Sequence, residues 1–246
     1  IWSLLFWRFT TLYTEVLIIW IITPYRPKLV WNSNIIKGII SFGWPLMGSS
    51  LLVFFYWNID YYLVGHLLGE VQLGYYWLAF QVSHYFLKVK GSIITVVFPA
   101  FSRMDNEANI KKGFEIVTKL TAVIYMFPTI IVLVLGEDLI GFLYGTKWIP
   151  AATAFQIFMV LTSLRAVTSY WDPVFWYYGK TKFLLLIAIF SSIYIPGFGF
   201  YSIKLYGIEG MALVVLSSII LITPIVGLYL KNLINTSYLK ILFEPI

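Results

Sequence analysis

Two groups of ionisable side chains interrupt an otherwise apolar sequence. Gln81, His84 and Lys88 follow an i, i+3, i+7 spacing and share one helical face. Arg165 and Asp172 also stand two turns apart on one face, with Asp172 directly before Pro173, where a helix is already disrupted. A charge in hydrocarbon costs about 2.5–3.5 kcal/mol, so such groups face a cavity or a partner. Cations converging on a hollow suit an anionic group such as a phosphate or diphosphate. The alternative is that Arg165 and Asp172 pair with each other or across helices, while Lys88 snorkels to the nearer interface. Asn58 and Asp60 form a further polar pair, and Glu115 can pair with Lys119 four residues on. The aromatic run Tyr170, Trp171, Phe175, Trp176, Tyr177 and Tyr178 could stack on sugar rings or form an interfacial belt.

The elements that must hold these residues are membrane helices. Of the 246 residues, 60% are hydrophobic and 11% are charged, against about 25% charged in a soluble domain. The mean hydropathy is +0.85, so lipid surrounds most of the chain. A spanning helix needs about 20 mostly apolar residues. Seven stretches qualify: Leu4–Ile22, Ile35–Trp57, Leu73–Phe98, Phe114–Leu135, Ala151–Tyr177, Phe183–Ile203 and Met211–Leu230. They lack the alternation of a barrel strand. The expected fold is all-α, a polytopic bundle of about seven transmembrane helices. In the first span Arg8 and Glu15 share a face and are expected to point into protein.

Loop charges set the orientation. Segments after the odd-numbered spans carry Arg26, Lys28, Arg103, Lys111, Lys112, Lys180, Lys182, Lys231 and Lys240; those after the even-numbered spans carry only Lys147 and Lys204. By the positive-inside rule the first set is cytoplasmic. Gly136–Trp148 is then an outer connection, with Tyr144 and Trp148 at headgroup level, and Asn232–Phe243 reads as the start of an interfacial helix. The chain starts at Ile1 without a signal-peptide pattern and is expected to be a piece of a longer protein.

Composition also excludes chemistry. The sequence has no cysteine, and its two histidines, His66 and His84, lie in different segments, so neither a metal site nor a cofactor is expected. The net charge of +6 is scattered between apolar runs rather than forming a stripe, which argues against nucleic acid. No catalytic triad or Gly-rich phosphate loop occurs, and an enzyme is not expected. Pro45, Pro128, Pro173, Pro196 and Pro224 all fall inside expected spans as hinge candidates. Proline removes a backbone donor and kinks a helix; five together favour a moving bundle, although each alone is compatible with packing.

The order of motifs resembles a known family. Phe42-Gly43-Trp44-Pro45 is followed by Asn58-Ile59-Asp60, Leu63-Val64-Gly65-His66-Leu67-Leu68-Gly69 and Leu73-Gly74-Tyr75-Tyr76. Phe98-Pro99-Ala100-Phe101-Ser102-Arg103 and Leu143-Tyr144-Gly145-Thr146-Lys147-Trp148 complete the series. The chain is similar to the second half of the polysaccharide exporters and flippases of the multidrug/oligosaccharidyl-lipid/polysaccharide transporter superfamily. That resemblance implies one lobe of a two-lobe transporter like the multidrug-and-toxin extruders. Residues 1–23 would be the last helix of a truncated first lobe, 24–34 a cytoplasmic linker, 35–230 a six-helix second lobe and 231–246 an interfacial segment. It also implies movement of an undecaprenyl-diphosphate-linked oligosaccharide across the cytoplasmic membrane of a prokaryote, alongside polysaccharide assembly proteins. Asn58, Asp60 and Arg103 carry over as motif residues. Arg165, Lys88, His84, Gln81 and Asp172 are the cavity candidates. A cation-coupled multidrug exporter using Asp172 and Asp60, and a membrane-embedded polymerase, are the competing expectations.

Overall fold

A computed structural model describes residues 2–23, 32–102, 107–168 and 171–234, and among these the chain is helical with no strand. Arg103, Tyr170, most of the 24–34 linker and residues 235–246 lie outside the described residues. Eight α-helices follow in order: α1 (Trp2–Ile22), α2 (Ser33–Tyr56), α3 (Ile59–Leu68), α4 (Glu70–Ser102), α5 (Glu107–Tyr144), α6 (Ala152–Thr168), α7 (Trp171–Tyr177) and α8 (Thr181–Ile234). A 3-10 turn, Thr146–Ala151, joins α5 to α6.

Among the described residues, five stretches are long and apolar enough to cross a membrane: Leu5–Ile22, Ile35–Leu68, Glu115–Tyr144, Thr146–Thr168 and Thr181–Lys231. The last is bent back at Gly207, whose φ of 59° and ψ of −140° suit only a residue without Cβ. Its two limbs correspond to the sixth and seventh expected spans. α4 is 33 residues long, covers the third expected span and carries Gln81, His84, Lys88 and Lys90.

The chain divides into two units, Ile1–Ile40 and Ser41–Ile246. In the first, Arg8 and Glu15 are both exposed within this chain. The Asn32 side chain accepts the Ile35 N–H at 3.3 Å and so caps the start of α2.

The second unit contains two hydrophobic clusters. The larger joins Val64 of α3, Tyr76 and Ala79 of α4, Ile140 of α5, Phe155 and Phe158 of α6, and Ile203 and Met211 of α8. Here the limbs of α8 meet closely, since a Cβ at Gly210 would collide with the Ser202 carbonyl oxygen. Polar side chains tie α4, α5 and α6 together. Tyr125 donates to the Phe86 carbonyl at 2.7 Å, Gln156 to Leu133 at 3.1 Å and Thr162 to Ser83 at 3.4 Å, while Thr129 and Ser163 share a short hydroxyl contact. Such bonds hold helices together where lipid offers no hydrophobic drive. The smaller cluster gathers Val167, Trp171, Val174, Phe175, Ile222, Val226 and Leu230 near the Gly179 turn.

Several boundaries differ from expectation for physical reasons. The second apolar stretch does not end at Trp57: after a turn at Trp57–Asn58 it continues as α3. The expected outer connection from Gly136 is helical as far as Tyr144, because the absent side chain at Gly136 admits Gln156 against α5. Trp148 is half-buried edge-on to Tyr75, at 5.8 Å between ring centres. Helices run through Pro45, Pro128, Pro196 and Pro224. Pro173 instead sits in the first turn of α7, where its missing N–H leaves no helical bond unmade.

Candidate functional site

The break at Trp57–Asn58 builds one wall of the site. Asn58 interrupts helical geometry, and its side-chain amide donates to the Phe54 carbonyl at 2.6 Å, occupying an acceptor left at the helix end. α3 then restarts with Asp60 in its first turn. Asp60 is 3% exposed; it accepts the Tyr61 N–H and the Tyr76 hydroxyl, each at 2.9 Å. A carboxylate at a helix N-terminus faces the positive end of the peptide dipoles, which offsets part of the cost of burying it. Asp60 is thus a buried anchor between α3 and α4, and it is not a lining residue of the cavity described next. The motif partner Asn58 acts on the backbone, and Arg103 lies outside the described residues.

A cavity of about 420 Å³ opens between α2, α4, α6, α7 and both limbs of α8. Its floor and walls combine three chemistries. Arg165 and Asp172 supply charge; Tyr56, Trp57, Trp171, Phe175 and Trp176 supply rings; Ser49, Ser50, Thr168, Ser191 and Ser218 supply hydroxyls. Four of those hydroxyls give their proton to their own helix. Ser49 and Ser50 donate to Leu46 at 2.8 and 2.9 Å, Thr168 to Leu164 at 2.8 Å and Ser218 to Val215 at 2.7 Å. Their oxygens therefore remain as acceptors, complementary to ligand hydroxyls.

Arg165, half-buried near the end of α6, lies with its guanidinium carbon 4.9 Å from the centre of the Trp57 ring. Asp172 is exposed at the start of α7 and lines the same cavity, although residues 169–170 between the two helices are outside the description. The structure therefore brings these two candidates together. The other three lie apart from them. His84 stacks on Phe80 at 5.4 Å and meets Trp57 edge-on at 5.6 Å, so it stands behind the indole rather than in the cavity. Lys88 is exposed with its ammonium 4.3 Å from the Tyr85 ring, and Gln81 is half-buried; neither lines the cavity, whereas Leu87 of the same helix does. One face of a helix is not one site, because the face spanned by residues 81–88 runs past more than one neighbour.

Sequence reasoning missed Trp57, Tyr56, Tyr76 and the serines. Trp57 looked like the interfacial end of a span; its signal was the Asn58 beside it, which marks a break. Of the aromatic run, Trp171, Phe175 and Trp176 line the cavity.

Fold and site together define a multi-pass, all-helical membrane protein whose second unit encloses a partly polar cavity. Residues 1–153 match the family described as polysaccharide biosynthesis protein, and the chain belongs to that family. The match contains every motif quoted above from Phe42 to Trp148. Over 146 residues, 58% of the chain, it is 32% identical to the teichuronic acid biosynthesis protein TuaB of Bacillus subtilis. Over the same length it is 25% identical to the lipopolysaccharide biosynthesis protein WzxC of Escherichia coli. Each alignment covers 30% of the relative's own length. No solved structure matches the chain.

Proposed function

We propose that this chain forms one lobe of a transporter that moves a lipid-diphosphate-linked oligosaccharide across the cytoplasmic membrane by alternating access. The observation that carries this reading is Arg165 on the wall of a cavity inside a membrane bundle, with an indole ring beside it. A buried cation retained in lipid needs a reason, and an anionic cargo supplies one. A volume of about 420 Å³ falls within the range of about 300–1,000 Å³ of small-molecule sites, enough for a head group and not for a whole glycan chain. Arg165 would hold the diphosphate, the hydroxyl oxygens would accept from the adjoining sugar and Trp176, 42% exposed, would offer it an apolar face. The names of the two relatives, both polysaccharide biosynthesis proteins, support a glycan as cargo. Residues 24–34 and the Gly179 turn would be cytoplasmic, and kinked helices would let the lobe rock against its counterpart.

The test replaces Arg165 and Lys88 separately with Ala in the full-length protein expressed in its host. Arg165→Ala should reduce surface polysaccharide by at least about tenfold at normal protein level, and Lys88→Ala by less than about threefold. Undiminished export in Arg165→Ala would remove the head-group site. A cation-coupled multidrug exporter is favoured by one observation, the exposed Asp172 on the cavity wall. Drug resistance without a polysaccharide defect would select that reading.

A further inference from the structure

Arg165 is held in an unusual way for a cation in a membrane bundle. Among the described residues the group set directly against its guanidinium is a ring, and the buried Asp60 acts on it as a charge from beyond ion-pair distance. A guanidinium carries five N–H donors and no acceptor. A carboxylate partner would occupy two of them, whereas an aromatic face attracts the charge without accepting a directed bond. Trp57 thus offsets the cost of burying the cation while leaving its donors for a ligand.

The indole is itself immobilised. Its backbone sits at the α2–α3 break, where the Trp57 main-chain N–H donates to the Val53 carbonyl at 3.0 Å and the Asn58 main-chain N–H to the Phe55 carbonyl at 3.1 Å. Phe80 meets it edge-on at 6.4 Å and His84 at 5.6 Å, from α4. Asp60, bonded to Tyr76, fixes the start of α3 three residues away. The break in the second apolar stretch therefore has a use: it turns one ring towards Arg165 and clamps it there.

We propose that Trp57 is a positioning residue for anion recognition, a rigid π platform that holds the Arg165 guanidinium at the cavity wall with its donors unspent. This rests on the head-group reading above and adds the device that makes the cation available. A diphosphate then meets a preorganised donor set, with no ion pair to break first.

The experiment measures binding of farnesyl diphosphate and of neutral farnesol to the purified full-length protein in nanodiscs. Trp57→Leu should weaken diphosphate binding about tenfold and leave farnesol binding within about twofold, and Trp57→Phe should recover most of the loss. Site-specific replacement of Trp57 by progressively fluorinated tryptophans keeps the shape while draining charge from the ring face. Diphosphate affinity should fall with each fluorine, a trend that a merely structural ring would not produce. A flat fluorination series with intact diphosphate binding would overturn the platform while leaving the transport reading standing. Equal diphosphate binding by wild type and Arg165→Ala would overturn the head-group site and the platform with it. The fluorinated series also decides the matter if Trp57→Leu fails to fold.

Discussion

The two ends of the second unit are built on opposite principles. Near Gly207 glycines bring chain segments into contact: Gly210 lies against Ser202, Gly199 against Met211 and Gly136 against Gln156, each where a Cβ would not fit, and a recess of about 640 Å³ lined by Gln72, Glu137, Thr153 and Glu209 opens beside them. Around Trp171 the helices stand apart and leave about 420 Å³. Both ends carry polar side chains, but they use them differently. In the first, amides bond across helices, as Gln156 does to Leu133. In the cavity hydroxyls bond back to their own helices, as Ser49, Ser50 and Ser218 do, and leave their oxygens on view. Cohesion and recognition are thus separated along one bundle.

The comparison can be broken by steric insult. Gly210→Leu would drive a side chain into the Ser202 carbonyl and split the limbs of α8, a destabilisation of at least about 3 kcal/mol. Purified protein should lose its cooperative thermal transition or fail to accumulate. Asp60→Ala strips the acceptor from a Tyr76 hydroxyl that is fully buried and should cost about 1–3 kcal/mol. Tyr76→Phe, which keeps the ring packing, should cost less; a thermal melt orders the three variants. Ser191→Leu is the mildest. It fills space instead of opening it, so stability should change by less than about 1 kcal/mol, while polysaccharide export should fall several-fold. A strong loss of stability there would mean that the cavity half is as tightly packed as the other.

Much of the architecture was legible in the sequence because apolar run length is a strong signal. The α8 hairpin emerged as two spans because Gly207 and its polar neighbours Lys204 and Glu209 interrupt the run. α5 was cut short because Gly136, Glu137 and Asp138 mimic a loop; only the packing of Gln156 explains that glycine inside a helix. Asn58 and Asp60 read as a polar pair at a membrane surface, yet Asp60 is buried by a partner sixteen residues on. Arg165 and Asp172 both line the cavity, although they stand on two helices, α6 and α7, and not on the single helical face that their spacing suggested. The rest of the site was not legible, since Trp57 comes from the α2–α3 turn, Leu87 from α4 and Ser191 and Ser218 from α8, and no periodicity links them. The expected hinges were read from prolines with glycines nearby; helices run through Pro45, Pro128, Pro196 and Pro224, and further interruptions of apolar stretches fall at Trp57–Asn58 and Gly207.

The ring lattice behind Trp57 sets a direction on anything that enters. Trp57 abuts Phe80, which meets Tyr61 and Phe158 edge-on at 5.7 and 5.3 Å, and Tyr76 in turn meets Tyr61 and Phe158 at 5.7 and 5.2 Å. Each such pair is worth about 0.5–1.5 kcal/mol beyond its buried area. Parting them all would consume several kcal/mol, comparable to the whole stability of a small domain. On this wall the chamber is a cul-de-sac: a molecule that reaches Trp57 meets aromatic masonry, and its way in and out lies past the other walls.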